Sequence, residues 1–213
     1  MDVFSEIKKL KIIPVATIND STRAIPLGKA LFDSNLPIVE VVFRTDAAEE
    51  SIRRLTDEMP NMIIGAGTVL NIEQVNKATN AGAKFIVTPG FNPKVVDYCV
   101  QQEIILIPGV NTPSMVEWAL DRELKVVKFF PAIVSGGIEM LKALAGPYPN
   151  MKFIPTGGIN DKNLIDFLRL QNVIACGGSW IVNKQLISSG KFKEIKELTK
   201  NAISSIRSEF NQI

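Results

Sequence analysis

The chain of 213 residues contains no histidine. That absence excludes the Ser-His-Asp and Cys-His catalytic arrangements, the HExxH zinc site and the imidazole-rich metal centre, because each needs imidazole as base or ligand. Cysteine is nearly absent too. Cys99 ("DYCVQ") and Cys176 ("IACGG") are the two, both in apolar settings, and they read as reduced packing thiols of an intracellular chain. No apolar run approaches the roughly 18 residues of a membrane span, and acids and lysines interrupt the N-terminal "MDVFSEIKKLKIIPV", so neither a membrane segment nor a secretory leader is expected. The 24 basic and 22 acidic residues, net +2, are scattered without a basic run or basic-aromatic interleaving, which argues against nucleic acid as a partner. No Pro/Gly/Ser-rich linker marks a boundary. The expectation is a cytoplasmic protein with one domain over residues 1–213, whose chemistry rests on Lys, Glu, Asp, Arg, Tyr, Cys or backbone.

What the chain does have is repetition. Short β-branched runs at 12–17, 38–43, 62–65, 85–88, 105–108, 126–129, 153–156 and 173–176 alternate with helix-like segments at 21–35, 47–59, 72–81, 93–102, 113–121, 137–144, 163–168 and 192–210, and a further helix is expected at 2–10. Boundary residues agree: Asp20 and Ser21 suit a helix start, Asn92-Pro93 and Thr112-Pro113 place proline at a first helical position, and Asn80-Ala81-Gly82 suits a helix end. Apolar strands with intervening helices mean an α/β protein with a covered parallel sheet. Eight such units close most simply as a (βα)8 TIM barrel, here with an extra N-terminal helix, and an open doubly wound sheet is the alternative.

Two strands carry charge where a core is expected. In "IVEVVFRT" Glu40, Val42 and Arg44 share a face, and in "KVVKFFPA" Val126, Lys128 and Phe130 do, because strand side chains alternate. If those faces are the barrel interior, Lys128 and Glu40 are neighbours across a small lumen near its C-terminal mouth. A lone charge buried there costs about several kcal/mol unless it is paired or neutralised. Desolvation favours a free amine, a nearby carboxylate opposes it, and a free amine attacks a ketone to give an imine. Glu40 is then the group to move protons; a purely structural salt bridge is the competing reading.

Glycine doublets follow the last two expected strands, in "PTGGIN" and "CGGSW". Loops after strands 7 and 8 of such barrels often bind phosphate through backbone N–H groups, so Gly157, Gly158, Gly177, Gly178 and Ser179 are the candidates, with tight turns as the plain alternative. "GAGTVL" at 65–70 is not a dinucleotide fingerprint, since GxGxxG needs glycine at Leu70. Thr68 there suits either a substrate carboxylate or a helix cap.

Taken in order, "VEVVFRT", "GAGTVL", "VTPGF", "IPGVNTPS", "VVKFFPA", "LAGPYP", "IPTGGI" and "CGGSW" resemble the bacterial 2-keto-3-deoxy-6-phosphogluconate (KDPG) aldolases, the family that also cleaves 4-hydroxy-2-oxoglutarate (KHG). The resemblance implies a class I aldolase on a (βα)8 barrel, a homotrimer, with neither metal nor cofactor. It implies Lys128 as the imine-forming amine and Glu40 as general acid/base by way of a water. Arg44 and Thr68 would hold the pyruvate-side carboxylate, with Pro89 lining that end and Phe130 packed beside the imine. Gly157, Gly158, Gly178 and Ser179 would take the distal phosphate, and Thr156 a substrate hydroxyl. The implied substrate is a phosphorylated keto-deoxy sugar acid cleaved to pyruvate and glyceraldehyde 3-phosphate, or KHG cleaved to pyruvate and glyoxylate. The galactonate isomer, a phosphate-binding isomerase or synthase, and a non-catalytic binding barrel stand as alternatives. Thr17, Met115 and Ile133 depart from common members, where arginine, glutamate and an acid are frequent, and these bear on the aldehyde end.

Overall fold

Strands and helices alternate along residues 2–210, the part of the chain described by a computed structural model. In order they are α1 (Val3–Leu10), β1 (Ile12–Ala16), a 3-10 turn (Ser21–Arg23), α2 (Ala24–Phe32), β2 (Ile38–Val42), α3 (Ala48–Glu58), β3 (Ile63–Gly67), α4 (Ile72–Asn80), β4 (Phe85–Val87) and α5 (Pro93–Gln101). There follow β5 (Leu106–Ile107), β6 (Gly109–Val110), α6 (Pro113–Leu120), β7 (Val126–Phe129), α7 (Gly137–Ala145), β8 (Lys152–Pro155), α8 (Leu164–Leu168), β9 (Cys176–Gly178), α9 (Lys184–Ser188) and α10 (Phe192–Phe210). Short polar side chains set the helix starts by accepting otherwise orphaned amides. Asp2 caps α1, Asn71 caps α4, Asn92 caps α5 and Thr112 caps α6, the last two with proline following. Apolar residues recur at helical spacing on one face only: α10 buries Ile195, Thr199, Ala202, Ile203 and Ile206.

Every strand pairing is parallel. Six strands run in the order β5-β4-β3-β2-β1-β9, three in the order β6-β7-β8, and isolated bridges Phe153↔Val173 and Thr156↔Gly177 link β8 to the segment of β9. Both faces of β2 and β3 are buried, as continuous apolar strands covered by helices require. Phe85, Phe129, Phe153 and Phe167 are the largest fully buried side chains, and Phe129 meets Phe153 edge to face. Because the strands are parallel, all their C-terminal ends open on one side, which is where the charged residues of β2 and β7 emerge.

Several boundaries differ from those expected. The first inter-strand helix is a 3-10 turn followed by a helix ending at Phe32, nearer than residue 35. The strand at 105–108 is two short pieces: Pro108 has no N–H to donate, so the ladder breaks there, while its carbonyl still accepts from the Lys128 amide at 2.9 Å. β3 runs on to Gly67, two residues beyond the expected end, with Val42 opposite Gly67. The last strand lies at Cys176–Gly178 and not at 173–176, since the register to β1 pairs Ile12 with Cys176, Ile13 with Gly177 and Pro14 with Gly178. The short α9 was not expected at all. Cys99 and Cys176 are free and buried, as expected. Among the described residues no helix is long and apolar enough to cross a membrane.

Candidate active site

Glu40 is the central residue of β2 and Lys128 the third of β7, and their side chains meet in the interior. Lys128 Nζ lies 3.3 Å from Glu40 Oε1, with side-chain exposures of 6% and 3%. This is the buried juxtaposition that the charged strands predicted. Phe130, two residues along on the same face as Lys128, puts its ring centroid 5.3 Å from the ammonium.

Above the pair opens a cavity of about 230 Å³ lined by Val15, Thr17, Arg44, Lys128, Phe130, Thr156, Gly157, Gly158, Ile159, Gly177 and Ser179. It brings together the candidates Lys128, Arg44, Phe130, Thr156, Gly157, Gly158 and Ser179, with Glu40 hydrogen-bonded behind Lys128. The cations on its wall are Arg44 and Lys128; its other lining residues are uncharged. Thr68 stands one step back, its Oγ1 accepting from Arg44 Nε at 3.0 Å. It is not a helix cap, since Asn71 caps α4, and its backbone holds φ of 54°.

The two glycine doublets differ in kind. Gly157 and Gly158 have φ of 99° and 82°, a region that glycine enters without strain, and they form a loop. Its carbonyls are taken by neighbours: Ile133 N–H donates to Gly157 O at 3.2 Å and Asn163 Nδ2 to Gly158 O at 3.0 Å. The Thr156↔Gly177 bridge turns the Gly157 amide toward Gly177 O, whereas among the described residues no protein group accepts from the amides of Gly158 or Ile159, which leaves donors for an anion. Gly177 and Gly178, expected in a second such loop, are strand residues of β9. Their missing side chains make space: a Cβ at Gly177 would fall 2.3 Å from Thr156 Oγ1, and one at Gly178 would fall 1.8 Å from the Trp180 ring. Gly178 and Pro89 are outside the cavity lining; the Pro89 carbonyl instead packs over Gly109.

Val15, Thr17 and Ile159 line the cavity and were not singled out as site residues. The first two carried a usable signal, being i and i+2 at the C-terminal end of a strand, the pattern that identified Lys128 and Phe130. Larger than this cavity is an open surface depression between β2, α3 and α4, lined by Arg44, Asp46, Glu49, Gln74 and Lys77; it contains neither member of the buried pair.

Residues 3–198 match the family model described as "Aldolase: KDPG and KHG aldolase". The chain belongs to the KDPG and KHG aldolase family. It is 43% identical over 205 residues to the 2-dehydro-3-deoxy-phosphogluconate aldolase of Haemophilus influenzae, covering 96% of this chain and 97% of that protein. To the KHG/KDPG aldolase of Escherichia coli K12 it is 38% identical over 196 residues, covering 92% of each. A crystal structure of the KDPG aldolase from Legionella pneumophila, with pyruvate captured at low pH as a covalent carbinolamine intermediate, superposes with a TM-score of 0.91 at 38% identity, covering 95% of this chain and 98% of that one. In this aldolase family member the buried amine, its carboxylate partner and the open glycine loop thus lie at one strand end, on a fold shared with that relative.

Proposed function

We propose that this aldolase is of class I and cleaves KDPG to pyruvate and glyceraldehyde 3-phosphate, with KHG as a second substrate cleaved to pyruvate and glyoxylate. The observation that carries the reading is the amine of Lys128 held 3.3 Å from the Glu40 carboxylate at the floor of the cavity. Glu40 accepts the proton that the amine must lose, and Nζ attacks the C2 ketone. Glu40 hands that proton to the carbinolamine hydroxyl, which leaves as water, so that a protonated imine forms and the carboxylate is regenerated. Glu40, through a water, takes the proton of the C4 hydroxyl, the C3–C4 bond breaks, and its electron pair flows into the imine to form the enamine. The aldehyde departs, C3 is reprotonated, and hydrolysis frees pyruvate and Lys128.

Arg44, held by Thr68, suits the substrate carboxylate, and Phe130 flanks the imine. The free amides of Gly158 and Ile159 and the Ser179 hydroxyl suit the distal phosphate, with Thr156 near a substrate hydroxyl. Gly178 serves that end from behind, by admitting the Trp180 ring, and Pro89 bounds the pyruvate end through its contact with Gly109.

Two further readings belong here. The nine strands act as the eight of one closed (βα)8 barrel, α1 preceding it: β5 pairs with β4 and β6 with β7 across the break at Pro108, the bridges from β8 reach the β9 segment, and one hydrophobic cluster spans the elements. The protein works as a cytoplasmic homotrimer, an assembly supported by the family resemblance and read by light scattering. Borohydride reduction in the presence of pyruvate is expected to add the pyruvate-derived mass to the peptide containing Lys128. Label on another residue, or none, overturns the imine mechanism. Lys128→Arg is expected to abolish turnover, because a guanidinium does not act as the nucleophile at neutral pH.

A further inference from the structure

Glycine is required at a position for one of two reasons, a backbone conformation or a lack of room. Gly67, the last residue of β3, has no positive φ, so the first reason does not apply. The second does. A Cβ built on Gly67 would lie 2.0 Å from Glu40 Oε1 and 2.7 Å from both Cδ and Cγ of the same side chain. The three nearest atoms all belong to Glu40, and they include the very oxygen that faces Lys128 Nζ. The carboxylate therefore reaches Lys128 by lying across the bare α-carbon of the neighbouring strand. β2 and β3 are locked in register there, with Val42 opposite Gly67 and the Phe43 amide donating to Gly67 O at 2.7 Å, so the backbone has little freedom to yield. What yields is the end of the Glu40 side chain.

We infer that Gly67 is a positioning residue for the aldol reaction: the empty space over its α-carbon fixes the Glu40 carboxylate at proton-transfer distance from Lys128. The inference rests on the assignment of Glu40 as the proton-moving group. Next to it, Thr68 holds Arg44, so the end of β3 sets both charged side chains of the β2 segment.

Gly67→Ala tests it. The backbone of Gly67 has no positive φ to strain an alanine, and ordinary contact begins at 3.4 Å, so the carboxylate must retreat by more than about 1 Å while the fold persists. A misplacement of that size in a proton-transfer group lowers kcat roughly 10²-fold. Expected are a thermal midpoint near that of the parent, a KM for pyruvate changed less than about threefold, and roughly 10²-fold slower deuterium exchange into the pyruvate methyl group. Glu40→Asp, which by its shorter side chain already withdraws the carboxylate from Lys128, is expected to be costly alone but to add almost nothing to Gly67→Ala, a coupling that a general packing defect does not produce. Exchange within about threefold of the parent, or multiplying losses in the double variant, overturns the inference. So does a crystal structure of Gly67→Ala with Glu40 still bonded to Lys128, which decides the matter even if alanine lowers stability. Absence of methyl exchange in the parent protein would instead sink the aldolase reading itself, and the crystal structure would still report on Gly67.

Discussion

Replacing Lys128 by methionine separates the two reasons for keeping a buried ion pair. Methionine preserves much of the side chain's length and apolar contact but leaves Glu40, 3% exposed, without its cation. Lys128 is the ion-pair partner of Glu40 among the described residues. Removing one member of a buried pair costs about 3–5 kcal/mol, because the other charge stays desolvated and uncompensated. For a chain of this size 1 kcal/mol shifts the melting temperature by about 2–4 °C, so Lys128→Met is expected to melt on the order of 10 °C below the parent. Adding Glu40→Leu removes the orphaned charge. Apolar replacement of a whole buried pair is often neutral or stabilising by about 1–4 kcal/mol, so the double variant is expected to recover most or all of the loss. Calorimetry of the three proteins, with urea midpoints where melting is irreversible, reads both effects; neither variant is expected to turn over KDPG. If Lys128→Met melts within about 2 °C of the parent, or the double variant melts no higher than Lys128→Met, the charges are not desolvated in the way the geometry requires. A recovered double variant shows that the fold does not depend on the pair, which leaves chemistry as the reason it is there.

Three other outcomes follow from the same geometry. Gly158→Ala forces a side chain onto φ of 82° and puts its Cβ 2.5 Å from Ile133 Cγ1, so the loop must shift; the expected result is a KM raised about tenfold or more for KDPG and much less for KHG, measured by coupled assay, and equal changes on both substrates would refute the distal-phosphate role. Thr17→Arg adds a third cation to the cavity wall and is expected to raise kcat/KM for KDPG relative to KHG, with an unchanged ratio refuting a place for Thr17 at the phosphate end. Burial pushes the Cys99 thiol from 9.0 up to about 11 and that of Cys176 higher still. Neither thiol should react with a thiol reagent at neutral pH until the chain is unfolded, and rapid labelling of the native protein would contradict the burial. The sign for stability follows: the folded state keeps the Cys99 proton that the unfolded chain loses above about pH 9, so stability falls as pH climbs from there toward 11.

Lys128 and Glu40 were legible as partners because period 2 and an α/β alternation suffice to aim two side chains at one interior, 88 residues apart in sequence. Helix starts at Asn92-Pro93 and Thr112-Pro113 were legible because the proline signal is local. The position of β9 was not. The segment 173–176 is as apolar as any strand, but which residues pair is settled by the register to β1, a contact between the two ends of the chain. Pro108 announced a ladder break that apolar neighbours concealed, and α9 is five residues long, too short for a period to show, although Asn183 accepts from the Gln185 amide as a cap should. Val15 and Ile159 were missed as cavity walls because uncharged residues at strand ends look like ordinary core until the cavity is seen, while Thr17 drew notice through its departure from the family pattern.

Glycine usage around the site brings these threads together, because φ divides the residues by what they do. Gly157 and Gly158 hold positive φ at the cavity wall, and any L side chain there strains the loop itself. Gly67 and Gly177 have ordinary strand conformations and are bare because a functional side chain lies over each, Glu40 in one case and Thr156 in the other. In sequence the two kinds are indistinguishable, since "GAG", "TGG" and "CGG" all read as turns. The physical consequences are opposite. Alanine at the first kind moves the main chain and disturbs an anion cradle; alanine at the second leaves the main chain in place and displaces one polar group. Gly177→Ala should therefore act through Thr156, whose hydroxyl sits 2.3 Å from the new Cβ, and spare the loop that begins one residue later.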